Sequence, residues 1–274
     1  GAYNYTEVDL RTLTGSNNEH VYIAGNVYGG GKGEAISNNA AENSFRCGKA
    51  MVTGGTNVCI GNGTVNGTVY GGGEVGRVEE DTRVTIGIGE GVDPSTTGTQ
   101  TSRPEVKGSV FGAGAGVKTH GYSALVRGHS YVTVEGNAKI GHGEGGGSVY
   151  GGGEIASVGR YNIAKTDADV ATYGVEKGMP YSLKNQGSGY CYVTVQGWAE
   201  IGRDDMQMKA DGGPDDSGYV FGGGKGILPY DAYTATETPW REGPDNKPES
   251  YDPAHEADYL KFIETLALTT HTYV

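Results

Sequence analysis

The sequence predicts an all-β repeat protein, most simply a parallel β-solenoid (β-helix), and three observations carry that prediction. A signature, Val-Tyr-Gly-Gly-Gly, recurs five times with small changes: NVYGGGKG from Asn26, TVYGGGEV from Thr68, SVFGAGAG from Ser109, SVYGGGEI from Ser148 and YVFGGGKG from Tyr219. Its valines, Val27, Val69, Val110, Val149 and Val220, stand 42, 41, 39 and 71 residues apart, so a unit of about 40 residues is copied and the fourth copy is enlarged. Glycine supplies 51 of 274 residues and Tyr 19, against 4 Phe and 2 Trp, a balance that favours short strands over helices. Only 9 prolines and the lack of a G-X-Y period exclude collagen.

Taken in order, residues 1 to 20 carry few apolar positions, and TGSNNEH from Thr14 reads as a polar turn. HVYIAGNVYGGGKG opens the first unit with a short apolar strand, a glycine break and the signature. A polar loop, AISNNAAENSFRCGK, leads to the strand TNVCIG from Thr56, whose relatives are TRVTIG from Thr82, YVTVEGNAKIG from Tyr131 and YVTVQGWAEIG from Tyr192. Each alternates apolar and polar positions as a half-buried strand does, which places Val132, Val134, Ala138 and Ile140 inward. A unit is therefore strand, Gly, short strand, loop, signature strand, Gly-Gly-Gly.

Compositional shifts mark insertions at 90–107, 154–190, 203–217 and 227–252, polar and proline-bearing, expected to run over the surface. Asp252 as a cap, Pro253 at the first helical position and Tyr259, Leu260, Phe262, Ile263 and Leu266 at near-helical spacing predict one short C-terminal helix over about 253–266. The closing LTTHTYV repeats the start of a long strand, so the expectation is one β-repeat domain over 1–274, five units over 21–226, cut from a longer array. The competing fold is a β-propeller, whose kelch-type blades also end a strand in a glycine doublet at a similar period. The strands before the signature, GTVY and GSVY, are short for a blade, and Trp198 and Trp240 fall at no repeated position.

With 33 acidic against 21 basic residues the net charge is −12, which removes the electrostatic footprint for nucleic acid or anionic lipid. No run approaches the roughly 20 apolar residues of a membrane span, and the first residues do not form a signal sequence. Cys47, Cys59 and Cys191 are odd in number and lack CxxC spacing, the pattern of separate free thiols.

Among residues that can carry chemistry, the recurrent ring is the most regular. Tyr28, Tyr70, Phe111, Tyr150 and Phe221 share one register, and Tyr exchanges with Phe, so the position needs a ring and not a hydroxyl. Such rings stack from unit to unit as a packing ladder, or form an exposed track for sugar rings. Asp204, Asp205, Asp211, Asp215 and Asp216 lie in one glycine-rich loop that can supply oxygen ligands to Ca²⁺, although its spacing fits neither an EF-hand nor the nonapeptide calcium repeats. A solvated acidic loop is the plainer reading, and no other cofactor is indicated. GHGEGG from Gly141 matches G-x-G-x-x-G without the strand and helix a phosphate site needs, and Lys32 and Lys225 lack P-loop spacing.

The units resemble glycine-rich β-helical segments of large bacterial surface proteins, the adhesin-like proteins of Bacteroidetes, in which V-x-G-x-V-Y-G-G-G modules recur. The resemblance covers about residues 21 to 226 and leaves the insertions and the C-terminal helix outside it. It implies an extracellular or outer-membrane-associated location and a non-catalytic structural or adhesive role, with loops or an aromatic track presented to host or bacterial glycans or surface proteins. A solenoid open at its ends is also expected to self-associate end to end. The alternative is a β-helical polysaccharide lyase or glycoside hydrolase: His142 in GHG with the pair Asp204 and Asp205 is similar to the polygalacturonase-type enzymes. In those enzymes the Asp motifs precede GHG, whereas here they follow it, and the basic partner motif is missing.

Overall fold

The computed structural model describes residues 5–10, 21–33, 50–91, 93, 103–117, 124–164, 166–174, 180–182, 188–202, 217–226 and 268–274. Each sequence unit delivers one strand to each of three parallel sheets, giving an all-β, solenoid-like stack with one turn per unit. The long strands β1 (Tyr5–Leu10), β4 (Gly55–Ile60), β7 (Thr82–Ile86), β10 (Ser130–Val134), β15 (Tyr190–Val195) and β18 (His271–Tyr273) form a six-stranded sheet in that order. The short strands β2 (Tyr22–Ile23), β5 (Thr64–Val65), β8 (Glu105–Val106), β11 (Lys139–Ile140) and β16 (Glu200–Ile201) form the second. The signature strands β3 (Val27–Tyr28), β6 (Val69–Tyr70), β9 (Val110–Phe111), β12 (Val149–Tyr150) and β17 (Val220–Phe221) form the third. Between signature and long strand the chain touches its neighbour once more, through the parallel bridges Val52 to Val78, Val78 to Val126 and Val126 to Val158.

Equivalent residues pair with equivalents. Val58 faces Val84, which faces Val132, which faces Val193, and Ile60, Ile86 and Val134 run beside them. Alternation puts these side chains inside with Val65, Val106, Ile140 and the signature valines, in one continuous core. Each such Val or Ile, fully buried, contributes about 1.5–3 kcal/mol of burial free energy. A second, smaller core gathers Val78, Val126, Val158, Ala113 and Cys191 at the bridge line.

The signature glycines have a specific task. None of Gly29, Gly71, Gly112 and Gly151 takes a left-handed φ; a Cβ on Gly112 would instead strike the carbonyl oxygen of Gly151 in the next turn. They are there for backbone-to-backbone approach, while the corners after the long strands, at Gly136 (φ 66°) and Gly197 (φ 71°), use the left-handed conformation. With the carbonyl of the first glycine turned inward, a hydroxyl on the long strand of the same turn reaches it. Thr6 Oγ1 donates to Gly29 O (2.6 Å), Thr56 Oγ1 to Gly71 O (2.5 Å), Thr82 Oγ1 to Gly112 O (2.6 Å) and Ser130 Oγ to Gly151 O (2.5 Å). Thr56, Thr82 and Ser130 are buried, so these bonds satisfy polar groups that water does not reach.

The parallel pairing of equivalents excludes the propeller, whose blades are antiparallel; the one antiparallel pair among the described residues is β13 (Tyr161–Ile163) with β14 (Pro180–Ser182). Three boundaries also shift. The first long strand, β1, lies in the stretch read as polar, because only Val8 and Leu10 mark its inward face. β8 lies inside the predicted loop 90–107, since a two-residue strand leaves almost no periodic signal. The insertion at 154–190 carries Val158 of the bridge line, β13, β14 and a helix α1 (Asp167–Tyr173), capped by Thr166, whose hydroxyl accepts from the Asp169 amide while Asp169 bonds back. The predicted helix at 253–266 and the insertion at 227–252 lie outside the described residues.

Replacing Thr82 by Val keeps the side-chain shape and leaves the Gly112 carbonyl unpaired in the core. Stability from urea denaturation is expected to fall by about 1–3 kcal/mol; a neutral change would show that the inward carbonyl needs no partner.

Candidate functional site

Two columns of aromatic rings climb the stack, and their surroundings differ. The signature rings Tyr28, Tyr70, Phe111, Tyr150 and Phe221 lie face to face at centroid spacings of 4.9, 5.2, 4.6 and 4.9 Å, near-parallel throughout. Because strand alternation turns the signature valines inward, the rings point away from the main core, yet Ala115 and the chain following the signature cover them. Tyr70, Phe111 and Tyr150 are 5%, 2% and 4% exposed, Tyr28 is half-buried, and Phe221 is 41% exposed. The three central rings thus have no face left for a ligand.

The position after the third glycine runs Lys32, Glu74, Ala115, Glu154, Lys225. Lys32 Nζ is 3.3 Å from Glu74 and Lys225 Nζ 3.9 Å from Glu154. The Tyr70 hydroxyl donates to Glu154 Oε2 (2.5 Å) across the intervening turn, where Phe111 has no hydroxyl and Ala115 a short side chain. Burial, then the Glu154 charge, raises the Tyr70 hydroxyl well above its ordinary value. The residue before each signature valine adds a polar ladder: Thr68 N donates to Asn26 Oδ1, Ser109 N to Thr68 Oγ1, Ser148 N to Ser109 Oγ and Tyr219 N to Ser148 Oγ.

The second column stands on the outer face of the six-stranded sheet. Register aligns Glu7, Asn57, Arg83, Tyr131, Tyr192 and Tyr273, one per turn. Tyr131 and Tyr192 stack at 4.8 Å, as do Tyr192 and Tyr273, and the Arg83 guanidinium carbon sits 4.5 Å from the Tyr131 ring centre. Beside them His129 lies 5.0 Å from Tyr190, and Tyr190 5.0 Å from His271. Asp81 accepts the His129 amide (2.9 Å), and His129 Nδ1 accepts the Tyr190 amide (3.3 Å). Tyr131 and Tyr192 are half-buried and Tyr273 is 50% exposed, so this face offers solvent a straight row of ring edges and phenol oxygens. The sequence signal is YVTV in two units and THTYV at the end, and Arg83 and Asn57 interrupt the aromatic pattern in the earlier turns.

Asp204, Asp205, Asp211, Asp215 and Asp216 lie outside the described residues; among the described residues no three His, Cys, Asp or Glu side chains converge on a metal position. No helix of the described residues is long and apolar enough to cross a membrane. Cys59 and Cys191 are free thiols, and Cys47 lies outside the described residues. Cys191 takes the register place of Ser130, and burial pushes its thiol from 9.0 up to about 12. No protein-family model matches the chain, and no curated protein or solved structure matches it either.

Cys191, Tyr70 and Tyr161 are all raised by burial, so the fold holds their protons. A group of that kind contributes stability that is complete below its unfolded pKa and is lost as pH rises through the folded one. Urea midpoints are therefore expected to fall from about pH 9 upward, and Cys191 to resist alkylation at about pH 8 until the chain unfolds. A constant midpoint to about pH 11, or rapid labelling of native Cys191, would contradict this.

Proposed function

We propose that the chain is a β-helix segment serving as a non-catalytic structural or adhesive module of a secreted or cell-surface bacterial protein. It presents loops or an aromatic track to a glycan or a surface protein. The observation that supports this most is the division between the two aromatic columns. Tyr70, Phe111 and Tyr150 are consumed by packing, whereas the half-buried Tyr131 and Tyr192 and the half-exposed Tyr273 stack on the outer face of a sheet braced from within by a continuous valine core. A face of this kind positions phenol hydroxyls and ring edges at the rung spacing of about 4.8 Å without an ordering cost on binding. Of the two readings of Tyr28, Tyr70, Phe111, Tyr150 and Phe221, the stacked spacings support the packing ladder, and the proposed track for a ligand is the outer face.

A second reading, a polysaccharide lyase or hydrolase, draws on the polar groove beside His142, lined also by Lys107 and Glu144. Release of new reducing ends or unsaturated uronate from polysaccharides would favour it over the adhesive reading.

A glycan array probed with the wild-type protein is expected to give positives that the triple substitution Tyr131→Ser, Tyr192→Ser and Tyr273→Ser weakens by about tenfold or more. The pair Thr133→Arg and Thr194→Arg, which crowds the face and leaves the rings intact, serves as a second variant. Binding undiminished in both variants would move the site elsewhere.

A further inference from the structure

A groove at the corner between the second and third sheets has the character of a ligand site distinct from the tyrosine face. In the first three turns two residues join the short strand to the residue before the signature valine: Ala24-Gly25, Asn66-Gly67 and Lys107-Gly108. In the fourth turn seven residues, Gly141 to Gly147, fill that place and swing out from the stack. The loop is held at defined points: Gly141 N donates to Val106 O (2.8 Å), Gly143 N to Lys107 O (3.0 Å) and Gly146 N to Gly143 O (3.0 Å). Left-handed φ at Gly141 (75°) and Gly146 (67°) sets its bends.

The displaced loop walls a groove of about 450 Å³ whose side-chain lining is Asn66, Lys107, His142 and Glu144, with glycine backbone between them. Stacking thus brings together polar groups from three successive turns. Among the described residues the side chains of Asn66, Lys107 and Glu144 have no hydrogen-bond or ion-pair partner. His142 Nε2 is buried without a hydrogen bond, 3.8 Å from Glu200, which is engaged by Lys139 at 2.8 Å. Asn66 and Glu144 are exposed and Lys107 is half-buried, so water occupies their polar atoms until a ligand displaces it; His142 Nε2 is the buried atom of the lining that lacks a partner, and such an atom marks a place a polar ligand can complete.

The lining selects the ligand. It has no aliphatic or aromatic wall, so it gives an apolar molecule nothing. Lys107 and Glu144 cancel in charge, as do Lys139 and Glu200 behind them, so an anion would meet Glu144 and a cation Lys107. Lys107 supplies only donors, Glu144 only acceptors, and Asn66 both, which matches a molecule whose every polar group donates and accepts. We propose that this groove binds an uncharged saccharide unit, with adjacent hydroxyls shared between Lys107 and Glu144. The site is independent of the tyrosine face and stands whether or not that face binds.

The test is titration of ¹⁵N-labelled protein with cellobiose, maltose and lactose, followed through the amides of Gly143, Gly145 and Gly146. At least one disaccharide is expected to give saturable shifts at these amides below about 50 mM, with affinity lowered about tenfold or more in Lys107→Ala and in Glu144→Ala. The Tyr131→Ser, Tyr192→Ser and Tyr273→Ser variant should titrate as wild type. Both groove substitutions fall on a surface groove, and a wild-type amide spectrum elsewhere verifies their fold. No shift with any of the three sugars, shifts unchanged in both groove variants, or stronger shifts with glucuronate or inorganic phosphate would each overturn the proposal.

Discussion

The structure depends on how closely one turn of backbone can lie on the next. Strands in a sheet sit about 4.8 Å apart wherever side chains point to either face. At the signature the chain also has to bend, and there the first glycine meets the carbonyl of its counterpart directly, with room for hydrogen only. That contact turns the glycine carbonyl inward, and the inward carbonyl in turn takes a hydroxyl from Thr6 at the first turn and from the buried Thr56, Thr82 and Ser130 at the next three. Glycine on one side of the turn and Thr or Ser on the other are thus two halves of one device, repeated in the first four units, with Cys191 in the hydroxyl's place in the fifth.

Register follows from the same device. A one-turn stagger preserves the glycine contacts, the hydroxyl bonds, the valine core and both aromatic columns together, whereas a one-residue slip breaks all of them. The charged positions add direction to this. Lys32 with Glu74, Lys225 with Glu154, and Tyr70 reaching past Phe111 to Glu154 hold particular turns beside particular neighbours. The exchange of Tyr for Phe at 111 therefore has a local reason, since a hydroxyl there would meet the Tyr70–Glu154 bond.

Much of this was legible from residues alone. The repeat spacing, the inward set Val132, Val134, Ala138 and Ile140, and the return of a long strand at His271 to Tyr273 all follow from periodicity and reappear as register. Less legible was the meaning of the glycines, because a triple glycine reads equally as a bend or as a close approach, and only the neighbouring turn distinguishes them. The short strand β8 and α1 left no such signal for a different reason: periodicity needs length, and these elements take their stability from neighbours or from a cap. The outer tyrosines were legible in sequence but not as a column, since a column exists only once turns stack. The acidic loop from Asp204 to Asp216 lies outside the described residues, so its proposed affinity for calcium rests on sequence alone.

A rigid parallel stack separates what holds the protein together from what it shows to solvent, and both proposed sites use that separation: the tyrosine face through regularity, the groove through one turn that departs from it. The arrangement rests on equivalent residues of successive units being parallel neighbours. Through-space proton contacts in the backbone test this most directly. Amide-to-α-proton contacts are predicted between the Val84, Val132 and Val193 strands and between the signature strands at Val69, Val110 and Val149. Close α-proton pairs across those strands, the mark of antiparallel pairing, would contradict it.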